Sequence, residues 1–317
     1  MAVTLANKKN PAALCIQALA YWWSLRRSRA FAWSDAWMNW HEWLLPSRFA
    51  HRAAGRALDR EARIELVEPG VYQVNLRDRN LVFFWLGKLD NNIYCSIAQE
   101  FDPSCPHFYT TPPVQLTRES LILDVGACEG LFAYRMLRQG SAAKVICFEP
   151  SERTAYYLHR GALLNGVEDQ LVTEVMAVNR CSGSVYFEEG DRPEANRIVN
   201  GNHTVTTRHI PAVSLDDYCA RHNLELRPQD LIKIDAEGAD LDVLRGAERL
   251  IRHTSPQIAV TTYHTESHAR EILSYLRSVQ PAYRFRLKGL TLFGPVRFFG
   301  GTKLRPVLLQ AARKTGA

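Results

Sequence analysis

Between Leu121 and Leu137 the sequence reads LILDVGACEGLFAYRML. An apolar run ends on Asp124, a turn carrying Gly126 and Gly130 follows, and an amphipathic helical pattern begins. Strand–turn–helix units of this kind hold nucleotide cofactors. The turn lacks the G-x-G-x-x-G spacing that brings a backbone against a pyrophosphate, because Cys128 stands between its two glycines. A carboxylate at the strand tip would also repel a pyrophosphate, whereas it suits an ammonium group or a water bound to one. A cofactor with a zwitterionic amino-acid end fits better, and S-adenosylmethionine has such an end. The residues expected to hold it are Asp124, Gly126, Ala127, Cys128 and Gly130.

One β–turn–α–β step downstream, KVICFEP ends on Glu149 directly before Pro150. An acidic residue at the end of a second strand accepts hydrogen bonds from both ribose hydroxyls. The third strand ends in AVNR, which offers Asn179 to the adenine; asparagine is also a common turn former there.

These residues need a frame that brings strand ends together. From residue 118 the pattern alternates β–α–β–α, with strand candidates at 121–124, 144–148, 172–178, 231–235 and 257–262. Helical patterns lie between them, for example at 130–139 and 151–164. Apolar strands separated by helices indicate an α/β fold with a doubly wound, mostly parallel sheet. YRFRL near 285 and RPVLLQA near 308 add an antiparallel edge pair. Residues 70–100 hold the short β-like runs YQVNL and LVFFWL, and TTPPV at 110–114 reads as a linker. The expected division is a helical region over 1–69, a short β-rich segment and linker over 70–117, the main domain over 118–310 and a tail over 311–317.

The N-terminal region is tryptophan-rich. Six of the seven tryptophans precede residue 44, and Trp33, Trp37, Trp40 and Leu44 follow i, i+4, i+7 spacing on one helix. That stripe reads as core or as a lid on the main domain. Arg26, Arg27 and Arg29 beside it also suit peripheral contact with an anionic membrane surface, and sugar stacking is a third reading. Residues 48–63 form a second helical pattern with arginines along one face.

Composition bounds the rest. The 317 residues are 46% hydrophobic and 23% charged, with a net charge of +6. This admits anionic partners without requiring them. Seven scattered cysteines without a C-x-x-C pair give no zinc site and no disulfide framework, which fits reduced thiols in a cytoplasm. No apolar run is long enough for a membrane span. PAALCIQALAYWWSL at 11–25 is not read as a signal peptide, because Gln17 interrupts it and arginines replace a small-residue cleavage site.

With IKIDAEGAD and LRGA at 232–247 added to DVGACEG, FEP, VSLDDY at 213–218 and YH at 263–264, residues 90–310 resemble the FkbM-type S-adenosylmethionine-dependent methyltransferases. The resemblance implies a class I methyltransferase, Rossmann-like fold and O-methylation of a sugar or natural-product hydroxyl. The family commonly has asparagine at Cys128 and glutamate at Asp240. The tryptophan-rich extension has no matched counterpart.

Methyl transfer from a sulfonium is an in-line displacement, so the acceptor hydroxyl must be aligned and its proton removed. In an open α/β sheet the site lies beyond the strand ends. Asp235 and Glu237 follow the fourth strand and His264 the fifth. His264 is the leading general base, as a neutral imidazole near pH 7. Asp235 orients it, meets the sulfonium side of the cofactor or takes the proton itself; Glu237 does the same or caps the next helix. Lys233 leaves the opposite strand face or pairs with a carboxylate. No metal ligand is assigned. A magnesium or manganese ion held by Asp235, Glu237 and His264 is the alternative mechanism. His268 begins the next helix. The polar stretch 190–211 is a surface hairpin or a lid offering Arg192, Asn196, Arg197 or His203 to an acceptor. Two rival functions are weighed. A nucleic-acid methyltransferase would carry Asn/Asp-Pro-Pro-aromatic where this chain has DAEG, and a non-catalytic scaffold would not need Asp124, Gly126, Gly130 and Glu149 intact.

Overall fold

The computed structural model describes residues 11–44, 62–90, 92–190, 196–199, 207–293 and 303–313. Helices α1 (Pro11–Leu25), α2 (Trp33–Trp37) and α3 (Trp40–Leu44) come first, then an antiparallel sheet of β1 (Ala62–Glu68), β2 (Val71–Leu76) and β3 (Leu81–Leu86). Helix α4 (Asn92–Phe101) leads into β4 (Leu121–Val125), α5 (Leu131–Arg138), β5 (Lys144–Phe148), α6 (Glu152–Asn165) and β6 (Leu171–Glu174). Strands β7 (Ala177–Val178), β8 (Gly183–Glu188), β9 (Arg197–Val199) and β10 (Thr207–Val213) build a separate small sheet. The chain then runs through α7 (Leu215–Arg221), β11 (Leu231–Ile234), α8 (Asp240–Arg245), α9 (Glu248–Thr254), β12 (Gln257–Thr261) and α10 (His268–Val279). The long strands β13 (Tyr283–Phe293) and β14 (Lys303–Arg313) close it.

The main sheet has the order β6-β5-β4-β11-β12-β14-β13. Its first five strands are parallel, and β14 inserts antiparallel between β12 and β13. The sheet is therefore mixed rather than wholly parallel, as the expected edge pair requires. Alternation along each strand sorts its side chains to two faces. Leu123, Val125, Ile232 and Ile234 join one core with residues of α7 to α10 and the N-terminal helices. Ile122, Val145 and Leu231 join the other, with residues of α5, α6 and the small antiparallel sheet. The candidate strand over 172–178 splits, because Val178 crosses into the small sheet beside β10.

Three expectations for the first hundred residues change. The tryptophan stripe is not one helix. Asn39 leaves the helical path and is 1% exposed, its amide bonding both the N–H and the C=O of Leu290. Trp43 is buried, Trp37 is half-buried, and Trp33 and Trp40 are exposed. The region packs as core: Leu14, Ala18, Ala30, Phe31 and Ala36 join the main cluster, and Asp35 pairs with Arg286 at 2.6 Å. Of the 48–63 helical pattern, 48–61 lie outside the described residues, and Ala62 and Arg63 open β1 instead. The segment 70–117 contains a helix, α4, beside its strands. At the other end, β14 continues to Arg313 and so takes in the start of the expected tail.

Candidate active site

Backbone geometry makes the first turn. Gly126 has φ +74°, and a Cβ there would collide with the carbonyl oxygen of Asp235. Only glycine serves both demands. Cys128 also lies in the left-handed region, at φ +50°. Its N–H donates to Glu149 Oε2 at 3.1 Å, and the N–H of Ser151 donates to Oε1 at 2.9 Å. Glu149 thus ties the ends of β4 and β5 together. Burial, opposed by these two hydrogen bonds, pushes its carboxyl up to about 7.

The second loop, between β11 and α8, is organised by Asp240. This residue is fully buried. Its carboxylate accepts from the N–H groups of Ala236 (2.9 Å) and Gly238 (3.2 Å) and from the Thr261 hydroxyl (3.1 Å). These bonds stabilise a loop in which Glu237 has φ +46°. Asp240 Oδ2 also lies 3.0 Å from His264 Nδ1. The ring's Nε2 then points at Asp235 Oδ1 (3.5 Å) and Glu237 Oε2 (3.4 Å). Asp235 is held by Tyr109, whose hydroxyl donates to Oδ2 at 2.9 Å, and by Thr261, whose hydroxyl lies 3.1 Å from Oδ1 and shares its one proton with Asp240.

Both loops open into one cavity of about 320 Å³. That volume suits a small-molecule site. Of the expected residues, Gly126, Ala127, Cys128, Glu149, Asp235 and Glu237 line it. His264 sits directly behind Asp235 and Glu237, its side chain 4% exposed. Gly130 lies outside the lining and sets the left-handed entry to α5.

Two residues expected at the cofactor take other partners. Asp124 is fully buried and does not line the cavity. Strand register sets Lys233 beside it, and Lys233 Nζ lies 2.8 Å from Asp124 Oδ1 while donating to the Gly126 carbonyl at 2.8 Å. Burial would lower the lysine pKa, but the facing carboxylate raises it above its ordinary value. Lys233 therefore meets a carboxylate, one of the two alternatives for it. Asn179 accepts from the N–H of Arg180 through its side chain, a local turn contact, and the cavity wall there is Met176, Ala177 and Val178.

The protonation expected of His264 also changes. Burial alone would lower its pKa; the charge and hydrogen bond of Asp240, then Glu237 and Asp235, raise it well above the usual histidine value. The three carboxylates favour the protonated ring over the neutral base expected. Burial would likewise raise Asp240, but His264 and the hydrogen bonds hold its carboxyl well below the ordinary range. Glu237 moves upward, chiefly through burial.

Several lining residues carried no signal in the sequence. Helix α4 contributes Asn92, Cys95, Ser96 and Gln99, so it forms the cover assigned to the tryptophans; no described residue of 11–44 lines the cavity. A buried ion pair between Glu100 and Arg135, 3.1 Å, locks α4 to α5. Tyr109 and Tyr263 complete the wall near Asp235. Of the polar stretch 190–211, Asn196 and Arg197 reach the cavity, and Arg197 pairs with Glu188 at 2.8 Å. Arg192 and His203 lie outside the described residues. His268 begins α10, as expected.

The FkbM methyltransferase domain model matches residues 124–287. Among curated proteins, the 2-O-methyltransferase NoeI of Sinorhizobium fredii is 26% identical over 152 residues, covering 43% of this chain and 60% of its own. Methyltransferase sdnD of Sordaria araneosa is 28% identical over 161 residues, covering 42% and 62% respectively. The chain thus spans about 60% of the length of these relatives. A crystal structure of methyltransferase FkbM from Methylobacillus flagellatus aligns over 70% of this chain and 52% of its own, with 18% identity and a TM-score of 0.45.

Proposed function

The chain belongs to the FkbM methyltransferase family, and from that premise we propose that it is an S-adenosylmethionine-dependent O-methyltransferase acting on a hydroxyl of a sugar, glycan or glycosylated natural product. One observation carries this reading: Glu149 and the Asp235–Glu237 pair line the same cavity. The relative NoeI, a 2-O-methyltransferase, favours oxygen as the acceptor atom.

The residues fit the cofactor. Gly126 lets the first turn pack directly against the Asp235 carbonyl, which sets both loops on one cavity, and the Glu149 carboxylate lines that cavity at the tip of the second strand. Glu149 would hold the ribose hydroxyls. The turn 126–128 would meet the methionine end, with Asn92, Ser96 and Gln99 of α4 as its polar cover. When bound, the cofactor supplies an electrophilic methyl group.

The chain's own groups prepare the acceptor. Asp235 and Glu237 face the cavity and accept hydrogen bonds from an incoming hydroxyl. Glu237 takes the hydroxyl proton at a carboxylate oxygen. His264 acts through them. Anchored by Asp240, it fixes both carboxylates and moderates their repulsion. Tyr109 orients Asp235, and α4 keeps water from the reacting atoms. Incubation with S-adenosylmethionine and a panel of oligosaccharides, read by mass spectrometry, tests the reading. One added methylene on an acceptor hydroxyl, lost in Glu237→Gln, supports it. Methylation of RNA or DNA instead would favour the nucleic-acid alternative.

The reading places the protein in the cytoplasm. Exposed Ile16, Leu19 and Trp23 share one face of α1, a helix without charged residues, and Arg27 and Arg29 follow it exposed. That combination suits peripheral contact with an anionic lipid surface. No helix of the described residues is long and apolar enough to cross a membrane.

A further inference from the structure

Three groups from two loops converge beside the cavity. Asp235 Oδ1 and Glu237 Oε2 lie 3.5 Å and 3.4 Å from His264 Nε2, and the donor atoms of the three residues fall within 4.8 Å of one another. From this geometry we propose that Asp235, Glu237 and His264 bind one divalent cation, magnesium or manganese, which ligates the acceptor hydroxyl. The proposal rests on the acceptor binding at this end of the cavity, as argued above.

Separations of this size suit neighbouring ligands on one face of a metal ion after a small contraction. Two carboxylates and one imidazole form an oxygen-rich set, which favours magnesium or manganese over zinc. The surrounding contacts are those of a ligand site. Asp240 holds His264 Nδ1 at 3.0 Å, which directs Nε2 toward the two carboxylates. A carboxylate behind a histidine in this way fixes the ring for metal binding, and Nε2 releases its proton to solvent as the cation takes its place. Tyr109 donates to Asp235 and orients it, and the Thr261 hydroxyl lies 3.1 Å from both Asp235 Oδ1 and Asp240 Oδ1, sharing its one proton between them.

Charge is a second, independent argument. Three carboxylates, Asp235, Glu237 and Asp240, surround the His264 imidazole, and a second imidazole, His268, lies 3.6 Å from Asp240 and outside the cavity lining that the other two acids share. The cation that shares the strand, Lys233, is matched by Asp124. The cluster therefore holds surplus negative charge at a half-buried cavity wall, and a divalent cation offsets it. The chemistry balances without an oxidant or reductant. The cation ligates the hydroxyl oxygen, the O–H bond breaks, and the proton passes to the second carboxylate oxygen of Glu237. The oxygen then forms its bond to the methyl carbon as the methyl–sulfur bond breaks, its electron pair staying on sulfur.

Manganese binding to the chelator-treated full chain, followed by electron paramagnetic resonance and calorimetry without cofactor, tests this. One ion per chain is expected, with affinity at least about tenfold weaker in Glu237→Gln and in Asp235→Asn. Circular dichroism establishes that each variant is folded. No stoichiometric binding, or binding unchanged in both folded variants, overturns the proposal. S-adenosylmethionine is titrated into the same chelated sample. Cofactor binding without manganese binding sinks the metal site alone, whereas manganese binding without cofactor binding sinks the methyltransferase reading and leaves the metal site standing.

Discussion

Two ionic groups, one buried and one half-buried, sit two residues apart at the end of β11, and they are built on opposite principles. Lys233 meets one carboxylate, Asp124, and one carbonyl, Gly126. Its charge is matched inside the protein, although its side chain also borders the cavity. Asp235 belongs to a group in which three carboxylates meet at His264, with His268 beside Asp240, and two of those carboxylates face the cavity. Matched charge closes a structure, because each ion satisfies the other and asks nothing of a ligand. Unmatched charge at a cavity wall invites a partner. The two acids that look most alike in sequence, each at a strand tip before a glycine-bearing loop, therefore sit differently: Asp124 braces the sheet and Asp235 faces the cavity.

The largest expected effect would break the closed pair. Lys233→Met leaves Asp124 buried without its counter-ion and should destabilise the fold by about 3–5 kcal/mol, read by urea unfolding. A loss below about 1 kcal/mol would mean that the pair is not the brace described. The open group should respond the other way. Glu237→Gln should leave the unfolding free energy within about 1 kcal/mol of the parent and lower turnover about 100-fold or more, with cofactor affinity retained. If stability falls and turnover holds, the two groups have been assigned in reverse.

A pH titration sharpens the comparison from the cofactor side. Burial raises the Glu149 carboxyl from 4.5 to about 7. The folded state thus holds this proton more tightly than the unfolded chain, and this residue's contribution to stability declines as pH rises from 4.5 through about 7. Ribose hydroxyls favour the ionised form. S-adenosylmethionine affinity should therefore rise with pH, by up to about tenfold per unit, and level off above neutrality; Glu149→Gln should flatten the slope. The smallest effect concerns the turn itself. Cys128 is left-handed, a conformation that asparagine adopts more readily, so Cys128→Asn should raise stability by about 1 kcal/mol in thermal unfolding.

How much of this was legible in the sequence follows from which contacts are local. The β–α alternation, the glycine turn, Glu149 at the second strand tip and the loop beginning at Asp235 are local patterns, and the structure places them as read. The antiparallel edge pair was visible as two apolar runs. What the sequence hid was long-range partnership. The role of Asp124 depends on Lys233, which strand register brings beside it from the far side of the chain. The charge of His264 depends on Asp240 as well as on the two acids in front of it. The break in the tryptophan stripe depends on Asn39 bonding to Leu290 on β13. Helix α4 was missed although Asp90 accepts from its first N–H, because NIYCSIAQEF follows strong β-like runs and its docking rests on a salt bridge to Arg135 that local pattern does not reveal.

The most direct test of the central claim, that one cavity holds the cofactor at Glu149 and the acceptor at Asp235 and Glu237, is calorimetric titration of S-adenosylmethionine into the full chain and into Glu149→Ala and Glu237→Gln. The account predicts stoichiometric binding to the parent, binding lost in Glu149→Ala and retained in Glu237→Gln. Absence of binding to the folded parent, or equal binding to Glu149→Ala, would contradict it.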